Sequence, residues 1–339
     1  MRDVADKAGV SVTTVSHVLN ETRPVAEATR RRVLHVIAEL NYFKNTSARL
    51  LVRGKSDLLG LVISDIENPF FPELIKSFES ACARERMEVL LCATNYDRGQ
   101  AEKALRRMLE NQVQGVAVMT SQFDEELASQ LTGKGIPLVL LGSARPKKNR
   151  SSITIDYQKG IADAVQHLVQ LGHRAIAIAS GPLNQVSALE YQTAVVDGLA
   201  KAGLTPFALF EGNHRPESGA RAVQTMLTGP RRPTAIFCGN DRMAIGALGA
   251  AVELGFRVPG EVSIVGSDDI WMARYCYPAL TTVRIPRDTL GQLAFDVLIK
   301  MLQSKGRRGT RHVLETQLIE RQSTDTAMRK ATTMKRINA

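Results

Sequence analysis

The sequence predicts two architectures in one chain, an all-α head over residues 1–45 and an α/β body over residues 57–325. Three observations lead there. Two short helical patterns succeed one another around Gly9. From Leu58 onward, short apolar runs alternate with amphipathic stretches. The charge is also concentrated at the ends of the chain. A length of 339 residues is too great for one small module, and a hydrophobic content of 44% supports a substantial core.

In the head, Asp3–Ala8 reads as the first helix, with Val4 and Ala8 spaced to share an inward face. Gly9 stands where a helix ends in a positive-φ residue, and Ser11 is a good N-cap for the next helix. In that second helix Val15, Val18 and Leu19 fall on one side, while Val12, Thr13, Ser16 and His17 point elsewhere. A glycine between two amphipathic stretches also occurs in ordinary helical hairpins. Taken in order, small Ala5, Gly9, inward valines and outward hydroxyls make a helix-turn-helix, whose second helix enters the DNA major groove. A third helix is expected over Ala26–Leu40, with Val33, Ile37 and Leu40 at core spacing; Arg30, Arg31 and Arg32 read as a solvated face.

The body begins with a strand at Leu58–Ile63, a helix at Phe71–Arg86 and a strand at Val89–Ala93. Gln100–Asn111 is expected to be helical, Gly115–Met119 a strand, Glu125–Leu131 helical and Pro137–Leu141 a strand. The scheme restarts with helix Ile161–Leu171, strand His173–Ala179 and helix Tyr191–Ala202. Later strands are expected at Phe207–Phe210, Ala235–Cys238 and Val262–Val265. Strands alternating with helices indicate parallel sheets, and two such units suggest two lobes with a cleft between them. Ligands in open α/β sheets sit at the carboxyl ends of strands, which places the loops after Ile63, Met119, Leu141, Ala179, Cys238 and Val265 around the cleft. There Phe70 and Phe71 offer aromatic faces, while Ser121, Asp156, Asn240, Asp241 and Asp268 offer donors and acceptors. Plainer roles compete: lobe packing for the phenylalanines and helix capping for Asp241.

The net charge of +10 is uneven. Residues 1–55 hold ten Lys/Arg against five Asp/Glu, and residues 305–339 nine against three, so the middle is nearly neutral. A basic head on a neutral body suits phosphate binding with salt-sensitive affinity. Cys82, Cys92, Cys238 and Cys276 show neither disulfide nor zinc spacing, and reduced buried thiols are expected. No apolar run approaches the ~20 residues that span a bilayer, and the amino terminus does not read as an export signal. Gly54-Lys55-Ser56 resembles the end of a P-loop, but Arg49 occupies the required glycine position and no apolar strand precedes it. HExxH, GxSxG and Cys/His metal sets are missing, so no enzyme, metal or cofactor is expected. A small-molecule sensor without gene-regulatory output fits the body alone.

Val4-Ala5, Ala8-Gly9-Val10-Ser11, Thr14-Val15-Ser16, Val18-Leu19-Asn20, Val25–Arg30 and Ala38–Tyr42 together resemble the amino-terminal motif of the LacI/GalR family of bacterial transcription regulators. The resemblance extends over nearly the whole chain and is strongest to the purine-repressor type. It implies a periplasmic-binding-protein-like core and a homodimer on pseudo-palindromic double-stranded operator DNA. In the second helix Val12, Thr13 and His17 match base-contacting positions, leaving Ser11, Thr14, Ser16 and Asn20 as phosphate-positioning groups. Residues 46–56 would form a hinge helix on DNA, with Ala48 near the minor-groove floor, Arg49 on phosphate or sugar and Leu51 wedged into a base step. Lobe 1 is then 57–157 plus 287–318 and lobe 2 is 158–286 plus 319–325, with a segment near Thr281–Pro286 returning to the first lobe. Residues 326–339 form a basic tail, expected to be disordered and without the leucine heptads of tetrameric members. The family also leads us to expect a few more residues before Asp3.

Asp268 matches the family's ligand-binding carboxylate. Three departures bear on the ligand: Tyr191 and Gln185, near Ser187, stand where arginines are usual, His214 replaces a purine-stacking residue, and Gly142-Ser143 replaces an Asp-Trp pair. They argue against hypoxanthine or guanine; a sugar, another metabolite or a protein co-effector is compatible. The implied setting is cytoplasmic, on the nucleoid.

Overall fold

A computed structural model describes residues 1–42, 56–120, 123–142, 144–304 and 308–327, apart from the side chain of Asn20. Ser121, the hinge residues Ala48, Arg49 and Leu51, and the tail from 328 lie outside the described residues. The chain divides into two compact units, Met1–Ser56 and Asp57–Ala339.

The head holds three helices: α1 Arg2–Ala8, α2 Val12–Asn20 and α3 Glu27–Glu39. Gly9 ends α1 at φ 63°, a left-handed conformation that costs glycine little. The Ser11 hydroxyl accepts from Thr14 N at 3.0 Å and caps α2. Val4, Ala5, Ala8, Val15, Val18, Val33 and Val36 form the small core. In α3 the inward pair is Val33 and Val36, three residues apart; Ile37 packs only partly and Leu40, 39% exposed, lies beyond the helix end.

The body is two parallel-dominated sheets flanked by helices. Its first part runs β1 Leu58–Ile63, α4 Phe70–Arg84, β2 Glu88–Ala93, α5 Arg98–Glu110, β3 Gly115–Met119, α6 Glu125–Gly133, β4 Leu138–Leu141 and β5 Arg150–Asp156. The second part runs α7 Gln158–Gln170, β6 Ile176–Ser180, α8 Val186–Lys201, β7 Leu209–Glu211, α9 Pro216–Leu227, β8 Ala235–Cys238, α10 Asp241–Glu253, β9 Ser263–Asp268, a 3-10 turn Trp271–Arg274 and β10 Thr281–Arg284. α11 Arg287–Gln303, β11 Arg311–Glu315 and β12 Gln317–Ile319 complete it.

The first sheet has the order β11-β5-β4-β3-β1-β2 and the second β12-β10-β9-β8-β6-β7. Read from the same edge they correspond strand for strand, with β3 and β4 of the first sheet matched by β8 and β9 of the second. Only the last pair differs, β12 being antiparallel to β10. β1, β3 and β8 are continuous apolar runs, and β6 is one up to Ser180, because helices cover both faces.

The chain passes between the sheets three times: after β5, after β10 and after β11. Two placements differ from the sequence reading. Thr281–Arg284 is a strand of the second sheet, and the return to the first starts at Ile285, which joins the core beneath β1 and α4. The last passage occurs at Thr316 rather than after 318, because Gln317 and Leu318 already pair with Arg284 and Val283. Thr316 fixes this passage to the first one, its amide (3.2 Å) and hydroxyl (2.9 Å) both donating to Asp156 O. Among the described residues no helix is long and apolar enough to cross a membrane.

Candidate functional site

On α2, the outward set is Ser11, Val12 and Thr13, all exposed, with Thr14, Ser16 and His17 half-buried. Val12 is 41% exposed at the start of a helix whose inward face is fully buried at Val15, so its methyls are available to a partner. Ser11 and Thr14 hydroxyls lie 2.9 Å apart, which commits part of their capacity to the cap. His17 Nδ1 sits 2.8 Å from the Thr22 hydroxyl, fixing the ring and leaving Nε2 as the outward nitrogen. Sequence reasoning did not foresee Thr22 in this positioning role. The short polar side chains therefore project from one rigid three-helix core, as major-groove reading requires.

The body contains a cavity of about 280 Å³ at the carboxyl ends of its strands, near the lower end of the ~300–1,000 Å³ usual for small-molecule sites. Its walls come from loops of both sheets: Ser64 after β1, Thr120 after β3, Gly142 after β4, Tyr157 after β5, Gly239 and Asn240 after β8, and Asp268 closing β9. Phe70, Phe71, Gln185, Ser187, Tyr191, His214 and Asp268, all singled out from sequence, line it together.

Two expected residues do not. Asp156 lies in a separate groove with Gln158 and Arg311, where its carboxylate accepts from Gln158 N at 2.8 Å. Asp241 is fully buried behind the wall, accepting from the Thr282 hydroxyl at 2.5 Å and from Ile270 N at 2.8 Å. Its work is structural: it ties α10 to β10 and to the turn after β9. The helix-capping role weighed for it belongs to Asn240, whose Oδ1 accepts from Met243 N at 2.9 Å.

Tyr191 also differs in detail. Its ring faces the cavity, but its hydroxyl donates to Cys238 O at 2.9 Å, so it presents an aromatic surface. Tyr157 meets it edge to face at 5.9 Å. Tyr96, Phe123, Tyr157 and Glu190 line the cavity without having been anticipated. Tyr157 comes directly after β5, a strand of sequence RSSITID that does not read as apolar; recognising that strand would have exposed it.

His214 holds φ at 63°, with its ring packed over Gly181, where a Cβ would overlap it. Its Nδ1 is buried with no hydrogen-bond partner among the described residues. Burial, with the Arg242 charge nearby, pushes its pKa down to about 4, so the ring is neutral at pH 7.

Asp268 is the most constrained residue of the site. Its φ of 115° lies where only glycine is at ease, and Asp269 has a φ of 56°. Three guanidiniums hold this strained end in place. Arg287 donates to the carbonyl of Asp268 and, at 2.7 Å, to that of Asp269, while also pairing with Glu73 at 2.5 Å. Arg284 (2.7 Å) and Arg321 (2.5 Å) grip the Asp269 carboxylate. The clamp aims the 8%-exposed Asp268 side chain into the cavity, where its carboxylate accepts no hydrogen bond from the described residues. Burial and the nearby Asp241 carboxylate hold Asp268 well above the usual carboxylate range, against a smaller opposing pull from Arg287. Across the same cleft Arg242 of α10 pairs with Asp65, beyond β1, at 3.2 Å.

Comparison with known proteins matches residues 1–45 to the family model for bacterial regulatory proteins, lacI family, and residues 165–324 to a periplasmic binding protein-like domain. The HTH-type transcriptional repressor PurR of Proteus mirabilis (strain HI4320) is 38% identical over 95% of this chain and 96% of its own length. PurR of Escherichia coli (strain ATCC 8739) is 37% identical over the same shares. Among solved structures, the lac repressor dimer bound to operator and the anti-inducer ONPF superposes with a TM-score of 0.83 at 30% identity, covering 95% of this chain and 98% of that one. The transcriptional regulator CelR in complex with cellobiose gives 0.72 at 28% identity, over 94% and 98%.

Proposed function

The chain belongs to the lacI family of bacterial regulatory proteins, and from that membership we infer a ligand-responsive, sequence-specific repressor that binds a pseudo-palindromic operator as a homodimer. The observation that carries the reading is the coexistence of two built sites in one chain. A three-helix head turns short polar side chains outward from α2, and an interlobe cavity ends in a strained, clamped Asp268. We assign base reading to Val12, Thr13 and His17, and phosphate positioning to Ser11, Thr14, Ser16 and Asn20. Ala48, Arg49 and Leu51 are assigned to a hinge that folds on the minor groove. The effector site is assigned to Phe70, Phe71, Gln185, Ser187, Tyr191, His214 and Asp268.

Ligand binding changes the relation of the two lobes, and through the hinges of the dimer it changes the free energy of docking two heads on one site. The protein acts in the cytoplasm and releases its ligand chemically unchanged.

The test is selection of randomised duplex DNA by the full-length protein at fixed moderate salt. Enrichment of a pseudo-palindrome is expected, weakened by Leu51→Ala and altered at its outer bases by His17→Ala. Binding without sequence selection, across salt concentrations, would overturn the reading.

A further inference from the structure

The cavity's charge balance bears on what it accepts, given its reading as the effector site. Among the described residues its lining contains no Lys or Arg, and Ser121, Gln122 and Ser143, which adjoin lining residues in sequence, are uncharged residue types. His214, the remaining basic group in the lining, is kept neutral at pH 7 by its burial. The lining does contain two carboxylic acids, Asp268 and Glu190.

Each guanidinium close to the site is matched to an acid other than Asp268. Arg242 pairs with Asp65, Arg287 with Glu73, and Arg284 and Arg321 with Asp269. Asp241 is served by Thr282 and Ile270 N. Asp268 is thus left 8% exposed, with its carboxylate aimed into the cavity and neither counter-ion nor donor among the described residues. The walls around it are aromatic: Phe71, Phe123, Tyr157 and Tyr191.

We propose that the effector is an organic cation, an amine or protonated heterocycle with a flat or apolar body, whose N–H group donates to Asp268 while its body lies among these rings. In the free protein burial keeps a proton on Asp268; a bound cation displaces it, supplying both the charge that lets the carboxylate form and the donor it lacks, and ring faces attract it further. A neutral polyol brings no such charge, and an anion finds no cation in the lining.

Matched probes test this on the full-length protein at pH 7, read by thermal shift and titration calorimetry. 2-Phenylethylamine and tryptamine are compared with 2-phenylethanol, 3-phenylpropanoate, hypoxanthine and cellobiose. The amines are expected to bind at least tenfold more tightly than the alcohol, with no binding of the acid. Asp268→Asn should remove that preference while the free variant stays folded. Should it not fold, Glu190→Gln at its partly exposed position should reduce the preference several-fold. Binding of hypoxanthine or cellobiose in preference to the amines overturns the cationic class and leaves the ligand-responsive repressor standing. So does an amine preference that survives both substitutions. Silence of every probe overturns the class as well. Amine binding that leaves operator affinity unchanged supports the class and counts against the regulatory reading.

Discussion

Arg287→Met should cost the body several kcal/mol, and the reason lies almost entirely in two carbonyls. Arg287 is 6% exposed at the start of α11 and donates to Glu73 and to the carbonyls of Asp268 and Asp269. Methionine keeps most of the stem's packing and removes every donor. Glu73 is half exposed and regains water, so its lost pairing is worth about 0–1 kcal/mol. The two carbonyls sit at a strained backbone under the cavity wall: Asp269 O would be orphaned at a cost of about 1–3 kcal/mol, and Asp268 O would keep only a long bond from Ile285 N (3.4 Å), losing about 0.5–1.5 kcal/mol. The total is roughly 2–5 kcal/mol, or a Tm lower by about 4–20 °C at ~2–4 °C per kcal/mol. Urea unfolding of Arg287→Met beside Glu73→Gln separates the contributions, the second variant being expected to lose less than about 1 kcal/mol. A loss below about 1 kcal/mol for Arg287→Met, or equal losses for the two variants, would refute the view that the clamp holds the Asp268 backbone.

Asp268→Asn should raise stability at pH 7: the native carboxyl keeps a proton that the unfolded chain releases above about pH 4, so the wild type loses stability as pH rises from there. Urea midpoints at pH 5 and 7 check it; a variant less stable than wild type at pH 7 would contradict it. His214 works in the opposite sense. Its pKa falls from the ordinary ~6.5 to about 4, so its contribution to stability is lost as pH drops through that window, and His214→Gln should flatten this dependence in the same titration. Gly219→Ala should destabilise by at least about 1–3 kcal/mol in thermal unfolding, because the added Cβ would overlap the backbone of Met243 where α9 crosses α10.

Strands buried on both faces were legible because they are unbroken apolar runs: Leu58–Ile63, Gly115–Met119 and Ala235–Cys238 fall where the pattern puts them. β5 was not, since Arg150, Ser151, Ser152 and Thr154 are polar yet buried. Ser151, Thr154 and the terminal nitrogens of Arg150 bond to groups outside the strand, such as Thr310 N on the Ser151 hydroxyl at 3.0 Å, while Arg150 Nε and the Ser152 hydroxyl have no partner among the described residues. Tyr157, at its end, was lost with it. Seven site residues of the cavity could be named in advance because they lie just beyond strand ends or match family positions. Asp241 misled because a carboxylate opening a helix beyond a strand end reads the same whether it faces a cavity or the core; only the hydrogen bonds from Thr282 and Ile270 N show it turned inward. The Arg287 clamp joins residues separated by 214 positions to Glu73, a distance at which no local pattern operates.

The central claim is that the relation between the lobes sets DNA affinity, and Arg242→Met tests it without requiring the effector. The substitution breaks the Asp65 pair across the cleft, where the two side chains are 14% and 10% exposed, and leaves the head's sequence untouched. Operator affinity, measured by fluorescence anisotropy over a range of salt, should change by about fivefold or more with the salt slope unaltered. Equal affinity in wild type and Arg242→Met, with the variant folded, would contradict the coupling.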